Sequence, residues 1–222
     1  MSLLYFVKTP FWLKILYPKA IWDIPSPNEK VLYLTFDDGP HPECTTFVLD
    51  QLKKYEAEAT FFCIGKNVDA HFDVYKRIID EGHAVANHTN NHLNGWKAKD
   101  EEYLLDIRKA MNIIDSKLFR PPYGRITRFQ MSQLLKPAYR LYPIMWSVLS
   151  GDFDKDITPE KCASNVILKA HSGDIVVFHD SEKARERLEY ALPKVLAHFS
   201  NQGFVFKKIT TELLKGYPYF SK

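Results

Sequence analysis

Short β-rich runs alternate with amphipathic stretches from position 31 onward, and this alternation constrains the fold more than any other feature. The strand candidates cover residues 31–36, 60–65, 83–88, 118–120, 140–147, 174–180 and 204–209. Helical patterns lie between them at about 43–55, 67–82, 100–117, 127–136, 159–170 and 183–200. Because parallel strands are usually joined through helices, the alternation predicts an α/β fold with a parallel sheet. About seven strands favour a closed barrel over an open sheet.

Local signals support this assignment of strands and helices. The run IVVF at 175–178 is apolar at every position, as expected for a parallel strand buried on both faces. Asn67 is the expected N-cap of the second helix, and Gly82 is expected just beyond its C-terminus. Pro121 and Pro122 are expected to end the fourth strand, because proline cannot donate to a strand ladder.

The composition is that of an ordinary globular protein, with 45% hydrophobic and 26% charged residues in 222 positions. One domain is the default at this length. The 30 basic and 27 acidic residues are spread along the chain, so charge gives no support for nucleic-acid binding. The three cysteines lie far apart without a CxxC spacing, which argues against a disulfide framework or a thiolate zinc site and favours a reducing compartment.

The first residues form a segment of their own character, and we divide the chain into an aromatic-rich arm, 1–28, and a main domain, 29–222. Residues 3–22 are rich in apolar and aromatic side chains, but lysines at 8, 14 and 19 and prolines at 10 and 18 interrupt them. No run approaches the ~18 apolar residues of a membrane-spanning helix, and the order of a signal peptide is missing. A cytoplasmic location is therefore predicted. The arm either packs on the domain or contacts a membrane surface through Phe11, Trp12 and Lys14; the oligomeric state is left open.

Polar residues follow the strand candidates, at the point where each strand ends. They are Asp37 and Asp38, His88 and His92, Arg120, Asp152, and His179 and Asp180. The carboxyl ends of parallel strands meet on one rim of an α/β fold, where active sites are built. The sequence therefore predicts one polar site on that rim.

Two histidines and an aspartate on this rim suggest a metal site. The four-residue spacing of His88 and His92 lets both imidazoles face one ion, and Asp38 would complete a His₂-carboxylate set with open positions. The alternatives are two exposed or capping histidines, and a simple Asp-Gly-Pro turn.

Two further segments carry groups suited to acyl chemistry. In FRPPYG, 119–124, neither proline has an N–H, so a backbone donor to an oxyanion must come from Tyr123 or Gly124; a stiff strand exit is the alternative. Arg120 could pair with a rim carboxylate and keep it ionised. His179 could move a proton if Asp152 orients it, and otherwise it is a structural histidine.

Five segments in this order resemble the polysaccharide deacetylases of the NodB homology type, carbohydrate esterase family 4. They are TFDDGP (35–40), HTNNH (88–92), RPPYG (120–124), WSVLSGDF (146–153) and VFH (177–179). The resemblance extends from about residue 31 to 209. It implies a distorted (β/α) barrel with about seven parallel strands, which agrees with the strand count, and it makes residues 29–222 a catalytic domain.

The resemblance also implies roles for individual residues. Asp37 corresponds to the catalytic base, Arg120 to the residue that orients it, His179 to the general acid and Asp152 to the carboxylate that tunes His179. Asp38, His88 and His92 correspond to the metal ligands, with Zn²⁺ expected and Co²⁺, Ni²⁺ or Mn²⁺ as alternatives. Tyr123 supplies the N–H of the oxyanion hole. The expected substrate contacts are Pro122, Tyr123, Trp146, Phe153 and Val177.

The implied activity is metal-dependent hydrolysis of an N-acetyl group from an amino sugar or glycan, with a carbohydrate as the binding partner. One alternative is an O-acetyl esterase, or a deacylase of a lipid- or nucleotide-linked sugar. Another is a catalytically silent protein that binds acetylated sugars. The family often has Asp-x-x-Asp-Trp in its fourth motif, whereas this chain has Leu149, Asp152 and Phe153 at those three positions. The residues of this motif therefore do not predict which sugar is the substrate.

Overall fold

A computed structural model describes residues 5–215 and 217. Its strands are β1 (Val31–Asp37), β2 (Thr60–Cys63), β3 (Ala84–Asn87), β4 (Leu118–Phe119), β5 (Tyr142–Pro143), β6 (Val148–Leu149), β7 (Ile175–His179) and β8 (Val205–Phe206). Seven of them form one curled, all-parallel sheet in the order β5-β4-β3-β2-β1-β7-β6, and β8 pairs with the start of β1. The expected α/β barrel is confirmed.

The helices pack around the outside of this sheet. They are α1 (Phe11–Leu16), α2 (Cys44–Lys53), α3 (Gly65–Ala70), α4 (Phe72–Asp80), α5 (Asp100–Met111), α6 (Arg128–Leu134), α7 (Pro159–Ile167) and α8 (Arg185–Asn201), with a short 3₁₀ turn at Pro122–Gly124. The prediction of a single helix at 67–82 is wrong, because the helix is interrupted at His71, between α3 and α4. Asn67 lies inside α3 and donates to the carbonyl of Asp38 instead of capping a helix. Gly82, with a φ of +86°, does follow the end of α4 as expected.

The prediction of a single strand at 140–147 is also wrong, and the path that the chain takes there explains how the barrel closes. Tyr142–Pro143 pairs with β4 at one end of the sheet, and Val148–Leu149 pairs with β7 at the other end. Residues 144–147 cross the gap between these two edges. A continuous ladder is therefore impossible there, since the chain leaves one edge strand and enters the opposite one.

The N-terminal arm fills this gap. On the β6 side, the N–H of Leu149 donates to Val7 and the N–H of Thr9 donates to Ser147, at 2.8 and 2.9 Å. On the β5 side, Ile21 exchanges backbone hydrogen bonds with Pro143 and Met145 at 2.9 and 2.7 Å. Among the described residues of the arm, the buried apolar side chains are Ala20, Ile21, Trp22 and Ile24, and Thr9 is buried as well. The arm therefore packs on the barrel along its seam.

Strand β1 lies at the centre of the sheet and separates two environments. Leu32, Leu34 and Phe36 point outward into the apolar layer beneath the helices. Thr35 and Asp37 alternate with them and so point into the barrel, because side chains alternate between the two faces of a strand. All seven residues of β1 are buried, so the polar pair inside the barrel needs polar partners.

The arm also presents an apolar surface, made by Phe6, Phe11, Trp12, Ile15 and Leu16, which are 45–76% exposed. Lys14 is paired with Asp23. No helix among the described residues is long and apolar enough to cross a membrane. Contact between this surface and a membrane stays a prediction, as does the cytoplasmic location.

Replacing the exposed apolar side chains tests membrane contact without opening the seam. We expect Phe11→Ser/Ile15→Ser to pellet with anionic vesicles at least about fivefold less than the wild type, because each large apolar side chain contributes ~1.5–3 kcal/mol when it leaves water. Sedimentation measures this, and Leu168→Ser, at a residue 72% exposed elsewhere, is the control. Equal pelleting of all three proteins would rule the contact out. Deletion of residues 7–24 is unsuitable, because it removes the seam pairing.

Candidate active site

The predicted polar residues meet at the carboxyl ends of β1, β3, β4 and β7. Parallel pairing aligns Asp37 with His179 on the neighbouring strand, and Asn87, the residue before His88, with Phe119, the residue before Arg120. The strand ends therefore fix the backbone positions of the site. The expected rim is confirmed as a structural cluster.

Asp37 and Arg120 form an ion pair inside the barrel. Arg120 Nη1 donates to Asp37 Oδ1 at 2.6 Å and to Thr35 Oγ1 at 2.7 Å. Its Nε and Nη2 donate to the carbonyls of Ile144 and Met145, at 3.2 and 2.9 Å. The guanidinium is fully buried. Since each of its three nitrogens has a partner, the pair satisfies the condition under which buried charges are tolerated.

Asp38, His88 and His92 form a second cluster, and their possible ligand atoms lie within 4.8 Å of one another. Asp38 Oδ1 lies 3.1 Å from His92 Nε2 and 3.7 Å from His88 Nε2. The backbone turns sharply at two of these residues, since Asp38 and His92 have φ values of +83° and +56°. Positive φ at residues other than glycine stores strain and is common at functional sites.

The donor set fits a divalent cation. The Nδ1 of His88 lies 2.8 Å from the carbonyl oxygen of Arg120, which can only accept, so Nδ1 carries the proton and Nε2 presents a lone pair. Burial lowers the pKa of His88 to about 4, which keeps the ring neutral. Asp38 Oδ1 is buried and accepts no hydrogen bond. Burial alone would raise the pKa of Asp38, but the imidazole of His92, with those of His179 and His88, holds it well below its usual range. Two imidazoles and a carboxylate are ligands that zinc prefers.

His179 is held from two sides by one carboxylate. Asp152 is fully buried and accepts from the backbone N–H of His179 at 2.6 Å and from its Nδ1 at 2.8 Å. Burial alone would lower the pKa of His179, but Asp152 reverses the shift and raises it to about 9. The ring of Phe153 packs edge-on against His179, with centroids 5.2 Å apart. A protonated imidazole oriented in this way can donate through Nε2.

The loop after β4 brings Tyr123 beside the cluster of Asp38, His88 and His92. The N–H groups of Gly124 and Arg125 donate to Pro121 and Pro122, and prolines have no N–H, so Tyr123 offers the remaining backbone donor of this loop. The tyrosine ring is 60% exposed and lies 4.6 Å from the His92 ring.

The other predicted substrate contacts surround this loop and His179. A Cβ on Gly124 would lie 2.5 Å from the ring of Trp146, so the indole supports the loop from below. Pro122 is buried in the same loop. Val177 lies on the face of β7 that carries His179, two residues deeper, and is only 1% exposed. Contact of these side chains with substrate stays a prediction.

A sequence model described as polysaccharide deacetylase matches residues 25–140, more than half of the chain. The chain belongs to the polysaccharide deacetylase family. The expected resemblance is thereby confirmed.

Similar proteins extend the likeness over most of this deacetylase. The peptidoglycan-N-acetylglucosamine deacetylase of Bacillus cereus is 37% identical over 200 residues, which cover 87% of this chain and 92% of that protein. The chitooligosaccharide deacetylase of Rhizobium leguminosarum bv. trifolii is 32% identical, covering 69% of this chain and 73% of that protein. A crystal structure of the Bc1960 peptidoglycan N-acetylglucosamine deacetylase has a TM-score of 0.82 at 30% identity, covering 91% of this chain and 96% of that one.

Family membership makes the chain a hydrolase of carbon–nitrogen bonds other than peptide bonds, acting in the deacetylation of acetylated sugars. The roles of individual residues and the identity of the metal remain predictions.

Three buried residues support the site of this deacetylase, and two of them, Asp106 and Arg187, were not among the predicted rim residues. Asp106 on α5 accepts the backbone N–H groups of Asn90 and Asn91, in the loop between the two histidines. Asp106 lies on the buried face of α5 with Tyr103, Ile107 and Ala110. A carboxylate at that helical spacing is a signal in the sequence, because buried carboxylates need partners.

Asp180 and Arg187 support the two other loops of the site. Asp180 accepts from the N–H of Gly39 and the hydroxyl of Thr45, and burial raises its pKa to about 8. A Cβ on Gly39 would lie 2.0 Å from Asp180 Oδ2, so this contact requires glycine. Arg187 Nε donates to the carbonyl of Asp152 at 2.7 Å. No sequence pattern indicated the Asp180 or Arg187 contacts.

Removing one member of the buried ion pair should unfold the protein more easily. We expect Arg120→Met to lower the free energy of unfolding by about 3–5 kcal/mol, because Asp37 is left as an unpaired buried carboxylate. Urea denaturation measures the change, and Arg128→Met, at an exposed arginine of α6, should stay within about 0.5 kcal/mol of the wild type. A loss below about 1 kcal/mol in Arg120→Met would show that the pair does not stabilise the barrel.

Proposed function

We propose that this deacetylase hydrolyses the N-acetyl group of an amino sugar within a glycan, releasing acetate, and that it needs a divalent metal ion to do so. The observation that carries the proposal is the arrangement of the rim: a carboxylate paired with Arg120, a cluster of two histidines and Asp38 that could hold a metal, and a protonated His179 lie side by side. Together they offer the proton acceptor, the metal site and the proton donor that amide hydrolysis requires. The proposed catalytic domain is residues 29–222, with the arm completing its seam.

Asp38, His88 and His92 would hold the metal, and Zn²⁺ is the ion that this ligand set favours. Co²⁺, Ni²⁺ and Mn²⁺ are the alternatives. When bound, such an ion supplies Lewis-acid polarisation of a carbonyl and lowers the pKa of a coordinated water.

Asp37 is the proposed base. Arg120 donates to its Oδ1 from inside the barrel at 2.6 Å and holds the carboxylate in position to accept a proton from the attacking water. Because Asp37 is immobilised, no side-chain entropy is lost in positioning it for the reaction.

Two hydrogen-bond or proton donors would act during the attack and the departure of the leaving group. Negative charge develops on the acetyl oxygen during attack, and the backbone N–H of Tyr123 is the proposed donor to it. The leaving nitrogen must be protonated before it departs, and His179 would supply this proton from Nε2 while Asp152 stabilises the imidazolium.

The raised pKa of His179 favours the amide over the ester as the substrate. An amine leaves only when it is protonated, and a raised pKa keeps the proton on His179 at neutral pH. An alkoxide is a better leaving group than an amide anion and depends less on such a proton donor. The names of the relatives support the same class, because one acts on peptidoglycan and another on chitooligosaccharide. O-acetyl, lipid-linked and nucleotide-linked sugars remain the alternatives. A catalytically silent binding protein would have no use for a protonated His179 beside the Asp37 carboxylate that Arg120 holds.

Acetate release tests the proposal. We expect the zinc-loaded protein to release acetate from N-acetylated chitooligosaccharides or peptidoglycan fragments, and to lose this activity with a chelator. Acetylxylan and UDP-N-acetylglucosamine cover the ester and nucleotide alternatives. No release from any of these substrates by a folded, zinc-loaded protein would contradict the proposal.

Asp37→Asn separates catalysis from metal binding in this assay. The variant keeps a hydrogen-bonding side chain but cannot accept the proton, so we expect turnover to fall about 10²-fold or more. Its zinc content after dialysis should equal that of the wild type, whereas His92→Ala should lose zinc. If Asp37→Asn keeps wild-type turnover, Asp37 is not the base.

The pH dependence tests His179. The acid must be protonated, so kcat/KM should fall as pH rises through the pKa of His179, about 9 in the structure. A bound cation would lower this value, so the comparison with Asp152→Asn carries the prediction. Removing the negative charge should move the alkaline limb at least about one pH unit lower. An unmoved limb would exclude His179 as the titrating group.

A further inference from the structure

A depression of about 610 Å³ opens from the active site away from Asp37 and His179. His92 and Tyr123 form its inner end, and the remaining lining includes Leu93, Ala98, Lys97, Arg125 and Glu102. Its inner end therefore consists of a proposed metal ligand and the residue that would supply the oxyanion donor. The glycan that carries the reacting sugar must extend from the reaction centre either across this depression or in the opposite direction.

Arg125 is the most defined charged group of this depression. Its guanidinium lies over the indole of Trp96, 5.3 Å from the ring centroid. The indole is itself fixed, because Nε1 donates to the carbonyl of buried Ile126 at 3.1 Å. The guanidinium therefore stacks beside the Tyr123 loop on an indole that is held at its nitrogen and is 59% exposed.

Neither cation of the depression is neutralised by a neighbour. Across residues 5–215 and 217, the ion pairs within 4.0 Å include none to Arg125 or Lys97. Glu102 is the only acidic residue of the lining, so the depression has an excess of positive charge. A stacked guanidinium presents its N–H edge, the geometry that binds a carboxylate through two hydrogen bonds.

We propose that this depression binds the sugar next to the one being deacetylated, and that Arg125 selects a neighbour that carries a carboxylate. Leu93, Ala98 and the Tyr123 ring provide the apolar contact for the sugar ring, and Lys97 adds charge at the rim. Arg125 is a specificity residue and takes no part in the bond-breaking steps. The inference rests on the proposed function, because it gives the glycan of that reaction a defined neighbour.

The test compares two substrates that differ in one charge. They are the disaccharide N-acetylglucosaminyl-N-acetylmuramic acid, whose second sugar carries a carboxylate, and the methyl ester of that carboxylate. We expect the zinc-loaded wild type to prefer the acid in kcat/KM by about tenfold or more, the usual strength of a charge-assisted contact. Arg125→Gln should reduce the preference to near one, mainly through KM. Glu102→Gln should increase it, because a repelling carboxylate is removed.

Arg128→Gln is the matched control, since this exposed arginine lies three residues away and does not line the depression. It should keep the preference of the wild type. An unchanged preference in Arg125→Gln, or equal use of acid and ester by the wild type, would overturn the proposal.

Calorimetric titration of both disaccharides into the zinc-loaded proteins separates this proposal from the proposed function. If turnover is absent from every substrate but the acid binds more tightly than the ester through Arg125, the deacetylation proposal fails and the binding site stands. If turnover occurs without any discrimination between acid and ester, the deacetylation proposal stands and the role of Arg125 in selecting the neighbouring sugar fails.

Discussion

The structure of the site depends on the fully buried Arg120 guanidinium. Its partners come from β1 and from residues 144–145, which cross the gap between the two edges of the sheet. The guanidinium also lies 3.9 Å from the ring centroid of Phe62 on β2. One side chain therefore links the central strand to the seam across the barrel interior. Because a buried charge without partners is prohibitively costly, these elements must assemble in one arrangement for any of them to be stable.

This arrangement also lets two adjacent carboxylates coexist in a buried site. Asp37 and Asp38 follow each other in the chain, and two like charges in a poorly solvated site would normally force one to take up a proton. The pleat separates them: Asp37 points into the barrel toward Arg120, and Asp38, with a φ of +83°, turns toward His88 and His92. Each carboxylate has its own positive or polar environment, so one can serve as a proton acceptor and the other as a metal ligand.

The sequence was sufficient to predict which residues lie together on the rim, because these residues follow strands. Asp37, His88, Arg120 and His179 each end or follow a strong β pattern, and parallel strands bring their carboxyl ends to one rim. Asp106 was within reach of the same reasoning, since it interrupts the apolar stripe of α5. Asp180 was expected on the rim, but its contacts and those of Arg187 were not predicted, because the partners are a glycine N–H and a backbone carbonyl, which leave no pattern in the sequence.

The seam shows where local patterns stop being informative. Residues 140–147 have the β propensity of a single strand, yet the chain there must pass from one edge of the sheet to the other. The arm that completes both edges is more than 100 residues distant in the chain, and it reads as an apolar segment with no period. The pairing with the two edges runs through the backbone of Val7, Thr9 and Ile21. The side chains of Thr9 and Lys8 add bonds to the Trp146 carbonyl and to Asp174, but a single threonine and lysine form no pattern that predicts the pairing. Closure of the barrel is thus a property of the assembled sheet, whereas the active site is already implied by where its individual strands end.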